Sequence, residues 1–416
     1  MNIADKCSER NANIIRDNYG NLSSDGMFSV SKMWKLKKKL NLKQNDVLTA
    51  KLDSKGNLIT SYAALKGLYK ETYMNRLTSK PPLQGYEQIT CLKDYLFNLR
   101  RRLSAKQKSV PWNENQLYKV CKTLKNGKAR DQHGMIFELF KPQFAGNDLL
   151  ASLLIMFNEM KSNLFVPDFM KTMSITRFYK KRGNKADLSN DRGVFNLVKV
   201  RSVLDKLIYQ DIYPDIDQAM SQSNIGARRG RNIWDHLFVI YSIINEVKSD
   251  KKEDLEIQSI DIVKCYDELN YSETHNDLFD VGVNDDKFNL ITKLDEECHI
   301  TVKTPVGPSE QFKLNEIILQ GSVLGPIKCS VQLDTLGRDT LSDSSEQCTV
   351  FKYKDSVEVP PLALMDDNLA VNTCARFVFW YLFRYLVSNR YFFWNLVSIW
   401  YLLSPKVSIH KKLIIK

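Results

Sequence analysis

The chain has 416 residues, with 60 Lys and Arg against 48 Asp and Glu, a formal net charge of +12 and a pI near 9.1. That length supports two or three packed regions, and the basic excess favours a polyanionic partner, of which nucleic acid is the commonest. The eight cysteines (Cys7, Cys91, Cys121, Cys265, Cys298, Cys329, Cys348 and Cys374) form no C-x-x-C pair, which argues against a zinc knuckle and reads as reduced intracellular thiols.

The N-terminus, "MNIADKCSERNANIIRDNYG", lacks the apolar core of a signal peptide, so an intracellular chain of nucleus or cytoplasm is expected. Residues 1 to 80 form a basic linker or N-terminal extension, and its run "KMWKLKKKLNLKQ" (32–44) reads as a solvated helix face or a phosphate-contacting patch. "DSKGNLIT" (53–60) predicts a short hairpin turning at Gly56, and "SKPPLQGY" (79–86) marks a boundary. A second region, 81 to 254, is helical. "YLFNLRRRLSAKQK" (95–108) predicts a basic amphipathic helix. In the next helix Asn113 and Gln116 are spaced as a capping box, Leu117, Val120, Cys121 and Leu124 share one face, and Gly127 is the expected stop. The basic loop around that glycine carries Lys125, Lys128 and Arg130. Further helices are predicted at 146–162, 198–212 and 232–248; in the last, Ile233, Leu237, Ile240, Tyr241, Ile244 and Val247 are expected to be core.

From residue 255 the texture turns to strands. "LEIQSIDIVKCYDELN" (255–270) alternates into Asp261, which falls at or near a strand end, with Asp267 where a helix can start. "ITVKTPVGPSEQFKL" (300–314) is a hairpin, and "LQGSVLGPIKCSVQLDTL" (319–336) is a glycine turn entering a helix. "PLALMDDNLA" (361–370) places Asp366 and Asp367 inside an apolar run. Taken alone it is a polar turn between strands, or a pair of acids compensated by metal. The order strand–Asp, helix, hairpin, Gln-Gly turn, helix, strand–Asp-Asp–strand is the layout of a polymerase palm. Nucleotide addition to a 3′-hydroxyl uses two divalent cations about 3.5–4 Å apart, and magnesium takes hard oxygen ligands such as carboxylates.

The motifs resemble the reverse transcriptase of non-LTR (LINE-type) retrotransposons, from about residue 53 to 371. "LKNGKARDQHGMIFELF" (124–140) resembles the entry segment, "ITRFYKKRGNKADLSNDRGVFNL" (175–197) the fingers motif and "SNIGARRGRNIWDHL" (223–237) the Gly-Phe-Arg-x-Gly-Arg-like segment. "SIDIVKCYD" (259–267) resembles the Asp-x-x-x-Ala-Phe-Asp motif, "ILQGSVLGP" (318–326) the Gln-Gly motif, and "LALMDDNLAV" (362–371) the Asp-Asp box. The resemblance implies an α+β right-hand polymerase with fingers and palm, the palm spanning 255–372. The activity it implies is that of an RNA-directed DNA polymerase, a nucleotidyltransferase using two Mg²⁺ ions, with Mn²⁺ as an alternative. The partners it implies are an RNA template, a DNA primer and dNTPs, and no stable membrane association is expected.

Carried over motif by motif, Asp261 and Asp366 are the principal metal ligands, Asp367 is secondary, and the Ile262 carbonyl completes a metal shell. Tyr266 stands at the sugar-gate position, or is an ordinary half-buried core tyrosine. Gln320 and Gly321 line the nucleotide and template base, and Lys180 and Arg192 reach the triphosphate, Lys180 reading equally as a surface charge. Lys128, Arg130, Arg228, Arg229 and Arg231 contact nucleic-acid phosphates, while Asp267 caps the following helix.

The chain also departs from the family. Arg-Pro-Ile becomes Arg192-Gly193-Val194, expected to exchange a rigid turn for a flexible one. After Asn372 an aromatic tail (373–416) foreign to the family stands where the resemblance places a thumb, so a missing or replaced thumb and an activity impaired by truncation are expected. The uncharged run Tyr391–Pro405 falls short of the roughly 20 residues of a membrane span. A non-catalytic nucleic-acid-binding remnant and an RNA-templated RNA polymerase are the alternative functions.

Overall fold

The computed structural model describes residues 50–78, 87–181, 183–248, 255–262, 265–342, 351–353, 357–359, 362–364, 367–372 and 407–415. The basic run 32–44, the boundary at 79–86 and the aromatic stretch 373–406 lie outside them. The architecture that follows is that of Lys51–Lys416.

Strands β1 (Lys51–Leu52) and β2 (Leu58–Ile59) pair antiparallel, with Gly56 at φ 83° in the turn. The Asp53 carboxylate accepts from the backbone N–H of Lys55 and Asn57, at 2.9 and 2.7 Å, which closes the predicted hairpin. Helix α1 (Tyr62–Leu77) buries Leu65, Tyr69 and Tyr73. Helix α2 (Glu87–Ser104) begins before the predicted 95 and stops at Ser104. Helix α3 (Glu114–Lys122) has the predicted Asn113/Gln116 capping box, and Leu117, Val120, Cys121 and Leu124 are all buried. It ends at Lys122, not at Gly127. Gly127, at φ 69°, instead turns the following loop, where its N–H donates to Glu138 Oε1 at 2.6 Å. In α4 (Pro142–Asn163) Gly146 leaves helical geometry, so the regular helix starts there, as the sequence predicts.

Strands β3 (Thr172–Tyr179) and β4 (Asp191–Leu197) form an antiparallel hairpin. Gly193 lies in the middle of β4 opposite Arg177, not in a flexible turn. A Cβ there would stand 2.6 Å from Cε1 of Tyr73, so glycine makes room for the ring that α1 lays across the strand. Helix α5 (Lys199–Ala219) continues past the predicted end at 212, through Pro214, because Tyr213 and Ile216 still face the core. Helix α6 (Ile233–Glu246) corrects the sequence reading. Ile233, Leu237 and Tyr241 are exposed, Tyr241 at 66%, together with Trp234 and Phe238. Val247 is buried and Ile240 and Ile244 pack beside it, as the stripe predicts, and Ile243, outside the stripe, is buried with them. The helix is apolar around most of its circumference, so periodicity alone places Ile240, Ile244 and Val247 correctly but not Ile233, Leu237 and Tyr241.

Strand β5 (Leu255–Ile262) leads through the short α7 (Cys265–Glu268) to α8 (Tyr271–Asp280) and α9 (Asp286–Asp295). The N-cap of α8 is Asn270, whose side chain accepts from Glu273 N; Asp267 lies inside α7 and does not cap it. Strands β6 (Glu296–Thr304), β7 (Gly307–Pro308) and β8 (Phe312–Glu316) build the predicted hairpin, with Ile300 opposite Phe312 and Cys298 opposite Leu314. Helix α10 (Leu324–Ser342) is followed by β9 (Phe351–Tyr353), β10 (Val357–Val359), β11 (Leu362–Leu364), β12 (Asp367–Asn372) and β13 (Val407–Ile415).

The fold is mixed α and β. One sheet runs β4-β3-β6-β7, with β8 also on β6 and β3 parallel to β6; it draws strands from both sides of residue 255. The other runs β11-β12-β5-β13, the last strand parallel to β5. One core gathers α3, α4, α5, α8, α9 and α10, around residues such as Phe157, Leu204, Phe288 and Val331. A second lies between α1 and the first sheet, around Tyr69, Ile175 and Ile300. Among the described residues no helix is long and apolar enough to cross a membrane.

Candidate nucleotidyl-transfer site

Strand β5 alternates apolar residues, with Leu255 and Ile257 buried, up to Asp261, and Ile262 is its last residue. Strand β12 starts at Asp367 and runs back along it: Asp367 stands opposite Asp261, Asn368 opposite Ile260, and so on to Asn372 opposite Glu256. Opposed positions of an antiparallel pair share one face of the sheet, with Cα atoms about 4.5–5.5 Å apart. Two acids distant in sequence thus become register partners at one end of the sheet. Asp366, directly before Asp367 in sequence, lies outside the described residues; Leu364 pairs with Asp367 where β11 meets β12.

The Gln320–Gly321 turn is docked on the other sheet. Phe195 N of β4 donates to Gln320 O at 2.9 Å. Gly321 sits at φ 120°, and a Cβ on it would lie 2.7 Å from Phe195 O and 3.2 Å from Val194 Cγ1. Only glycine accepts both this conformation and the close approach of the strand backbone. Ser322 then caps α10: its Oγ accepts from Leu324 N at 3.1 Å and donates to Asp205 Oδ2 at 2.7 Å. Tyr266 is half-buried, with Cε1 3.6 Å from where a side chain on Gly325 would begin, so α7 meets the entrance of α10 there.

Three further segments border these elements. Ile225 N donates to Ala363 O at 2.9 Å and Ala363 N to Ser223 O at 3.0 Å, which lays residues 223–225 along β11. Arg130 O accepts from Asn196 Nδ2 at 2.9 Å, which sets the exposed Lys128 and Arg130 loop beside β4. Lys180 and Arg192 belong to the β3–β4 hairpin: Lys180 N donates to Asn190 O, and Arg192 is exposed opposite Phe178.

The three arginines of "ARRGR" separate. Arg228, expected to meet phosphate, is turned into the protein. It is buried, with Nε 2.7 Å from Asp217 Oδ1 and its remaining N–H groups donating to the carbonyls of Asp217, Ser221 and Asn224. That pairing holds the Asp217 carboxyl below its usual range against the effect of its partial burial. Arg229 is exposed, its guanidinium 4.4 Å from the centre of the Tyr213 ring and 5.1 Å from that of Tyr209. Arg231 is exposed and bonds Gln222.

No family model matches the sequence. Among solved structures the chain is similar to apo telomerase from Candida tropicalis truncated from its C-terminal domain, at 15% identity and a TM-score of 0.38 over 57% of this chain. The match spans about half of that structure, 52% of its length.

Beneath the Gln320–Gly321 turn runs a buried ionic network that sequence reasoning missed. Arg201 Nη2 lies 2.7 Å from Asp295 Oδ1, its Nε is 3.6 Å from Asp205 Oδ1, and Lys328 pairs with Asp295 Oδ2. Burial pushes the Asp205 carboxyl above its usual range, Arg201 and Ser322 notwithstanding. Burial acts the same way on Asp295, but Lys328 and Arg201 outweigh it and hold that carboxyl low. His275 is fully enclosed against the rings of Tyr271, Phe97 and Phe288; its Nδ1 lies 2.8 Å from Tyr271 O, so that nitrogen carries the proton. Burial, with the nearby Lys328 charge, lowers its pKa to about 3. The only sequence sign of this network is charged residues inside the apolar pattern of α5.

Proposed function

We propose that this chain is a template-directed nucleotidyltransferase of the reverse-transcriptase type, adding dNTPs to a primer 3′-hydroxyl on an RNA template. The observation that carries the reading is the register of β5 and β12, which makes Asp261 and Asp367 opposed positions on one sheet face. Like charges at directly opposed positions of an antiparallel pair repel, and a cation between them would offset that cost. Asp261, Asp367 and the adjacent Asp366 are hard-oxygen donors, a set that suits Mg²⁺ or Mn²⁺. When bound, such ions supply Lewis-acid stabilisation of the attacking and leaving oxygens.

The other residues take roles consistent with their surroundings. The Gln320–Gly321 turn, fixed between β4 and α10, offers a flat backbone surface for a base pair. The Tyr266 ring, where α7 meets α10, crowds a ribose 2′-hydroxyl and favours deoxynucleotides. Lys180 and Arg192 supply positive charge to a triphosphate from the β3–β4 hairpin. Lys128, Arg130, Arg229 and Arg231 are exposed cations that would meet phosphates.

The test is primer extension on an RNA template with Mg²⁺, comparing the chain with Asp261→Asn and Asp366→Ala. Extension by dNTPs is expected, falling ~1000-fold or more in either variant, since several kcal/mol of transition-state stabilisation are removed. Duplex binding without extension would leave a nucleic-acid-binding module. Extension with NTPs in preference to dNTPs would indicate an RNA polymerase.

A further inference from the structure

Two buried thiols lie against each other beside the proposed site. Cys265, the first residue of α7, and Cys329, on α10, have Sγ atoms 3.3 Å apart, although 64 residues separate them in sequence. Both are buried, and neither is in a disulfide. The other described cysteines are placed differently. Cys91 is exposed on α2. Cys121 and Cys298 are buried, and desolvation pushes each thiol up to about 11, which makes them poor nucleophiles.

A disulfide has an S–S length of about 2.05 Å, so the sulfurs of Cys265 and Cys329 need to approach by a little over ~1 Å. A small rotation of either side chain covers that. The enforced proximity also governs the chemistry. Once one sulfur is oxidised, its partner is already in place, and a positioned intramolecular attack outruns encounters with thiols in solution.

We infer that Cys265 and Cys329 form a dithiol site that a peroxide closes to a disulfide, tying the segment after β5 to α10. In the first step one thiol gives an electron pair to hydrogen peroxide; the O–O bond breaks, a sulfenic acid forms and one water leaves. In the second step the other sulfur attacks the sulfenic sulfur; the S–S bond forms, the S–O bond breaks, and the hydroxyl leaves with the thiol proton as a second water. Two thiols are oxidised and one peroxide is reduced to two waters. The site stands on its own geometry and does not depend on the polymerase reading.

Its position gives the bond a consequence. Cys265 directly precedes Tyr266, and α7 has only four residues, Cys265–Glu268. Cys329 follows Lys328, which is anchored to Asp295 in the buried network. The disulfide therefore fastens a short helical turn to a firmly held one, and closes a long loop in the unfolded chain.

The experiment treats the folded full-length chain with hydrogen peroxide, blocks the remaining thiols with an alkylating reagent, digests it and analyses the peptides by mass. A linked peptide joining Cys265 to Cys329, lighter by two hydrogen atoms and separated again by dithiothreitol, is expected as the main product. The oxidised chain should also melt several degrees higher than the reduced one. Cys265→Ala and Cys329→Ala, both small apolar replacements suited to buried positions, should each abolish the linked peptide and the shift in melting. If both thiols of the folded chain stay open to alkylation after peroxide, or other cysteines supply the main linked product, the inference is overturned. A linked peptide of equal yield in urea-unfolded chain would overturn it as well, because the fold would then contribute nothing.

Discussion

Acidification should destabilise this protein through His275, in a window fixed by its burial. The folded-state pKa is lowered from 6.5 to about 3, with desolvation the largest cause and the Lys328 charge next. In the unfolded chain the imidazole takes a proton below about pH 6.5, whereas in the folded protein it stays neutral down to about pH 3. Between those values the unfolded state binds more protons, so stability rises with pH. The contribution is fully present above about 6.5 and is lost as pH falls. The whole shift corresponds to on the order of 5 kcal/mol, of which about 2 kcal/mol is lost by pH 5. The assay is urea unfolding at several values from pH 5 to 8, for the native chain and for His275→Gln, which cannot titrate. Asp295, held low by Lys328 and Arg201, stays ionised throughout, and the remaining groups are common to both proteins. Whatever the variant's starting stability, its curve should be flatter by about 2 kcal/mol between pH 7 and 5. Parallel curves would refute the argument, because His275 would then titrate alike in both states.

Gly321→Ala should destabilise the chain by about 2–4 kcal/mol, since a Cβ at φ 120° meets Phe195 O at 2.7 Å, and thermal unfolding measures it. Primer extension should fall further than stability alone explains, because the Gln320–Gly321 turn is pushed off β4. Arg228→Ala should cost about 2 kcal/mol, the half-exposed Asp217 moderating the loss, and leave the salt dependence of RNA–DNA duplex binding unchanged. Arg229→Ala or Arg231→Ala should instead reduce that salt slope by about one, read from affinity titrations at several salt concentrations. Tyr266→Ala should admit ribonucleotides with a change in the dNTP/NTP ratio on the order of 100-fold; an unchanged ratio in an active chain makes Tyr266 a packing residue only.

The local pattern of the chain determined a good deal by itself. The Asn113/Gln116 capping box, the 300–314 hairpin, the strand ending near Asp261 and the glycine turn before α10 all stand as the residues predict. Each rests on contacts between near neighbours or on a backbone need that only certain residues meet. What required the tertiary structure was any question of which surface meets which. Helix α6 has two apolar faces, and only packing against β5 decides which one is buried. Gly193 is no looser than its neighbours, because the Tyr73 ring of a helix more than a hundred residues earlier rests on it. Arg228 and Arg229 are adjacent in a basic run, yet one is enclosed by Asp217 and three backbone carbonyls while the other meets solvent. The pairing of Asp261 with Asp367, the contact of Cys265 with Cys329 and the network through Arg201, Asp205, Asp295 and Lys328 all join distant segments. Sequence periodicity reports the environment along one element; burial, desolvation and register depend on the element opposite it, and only the folded chain supplies that.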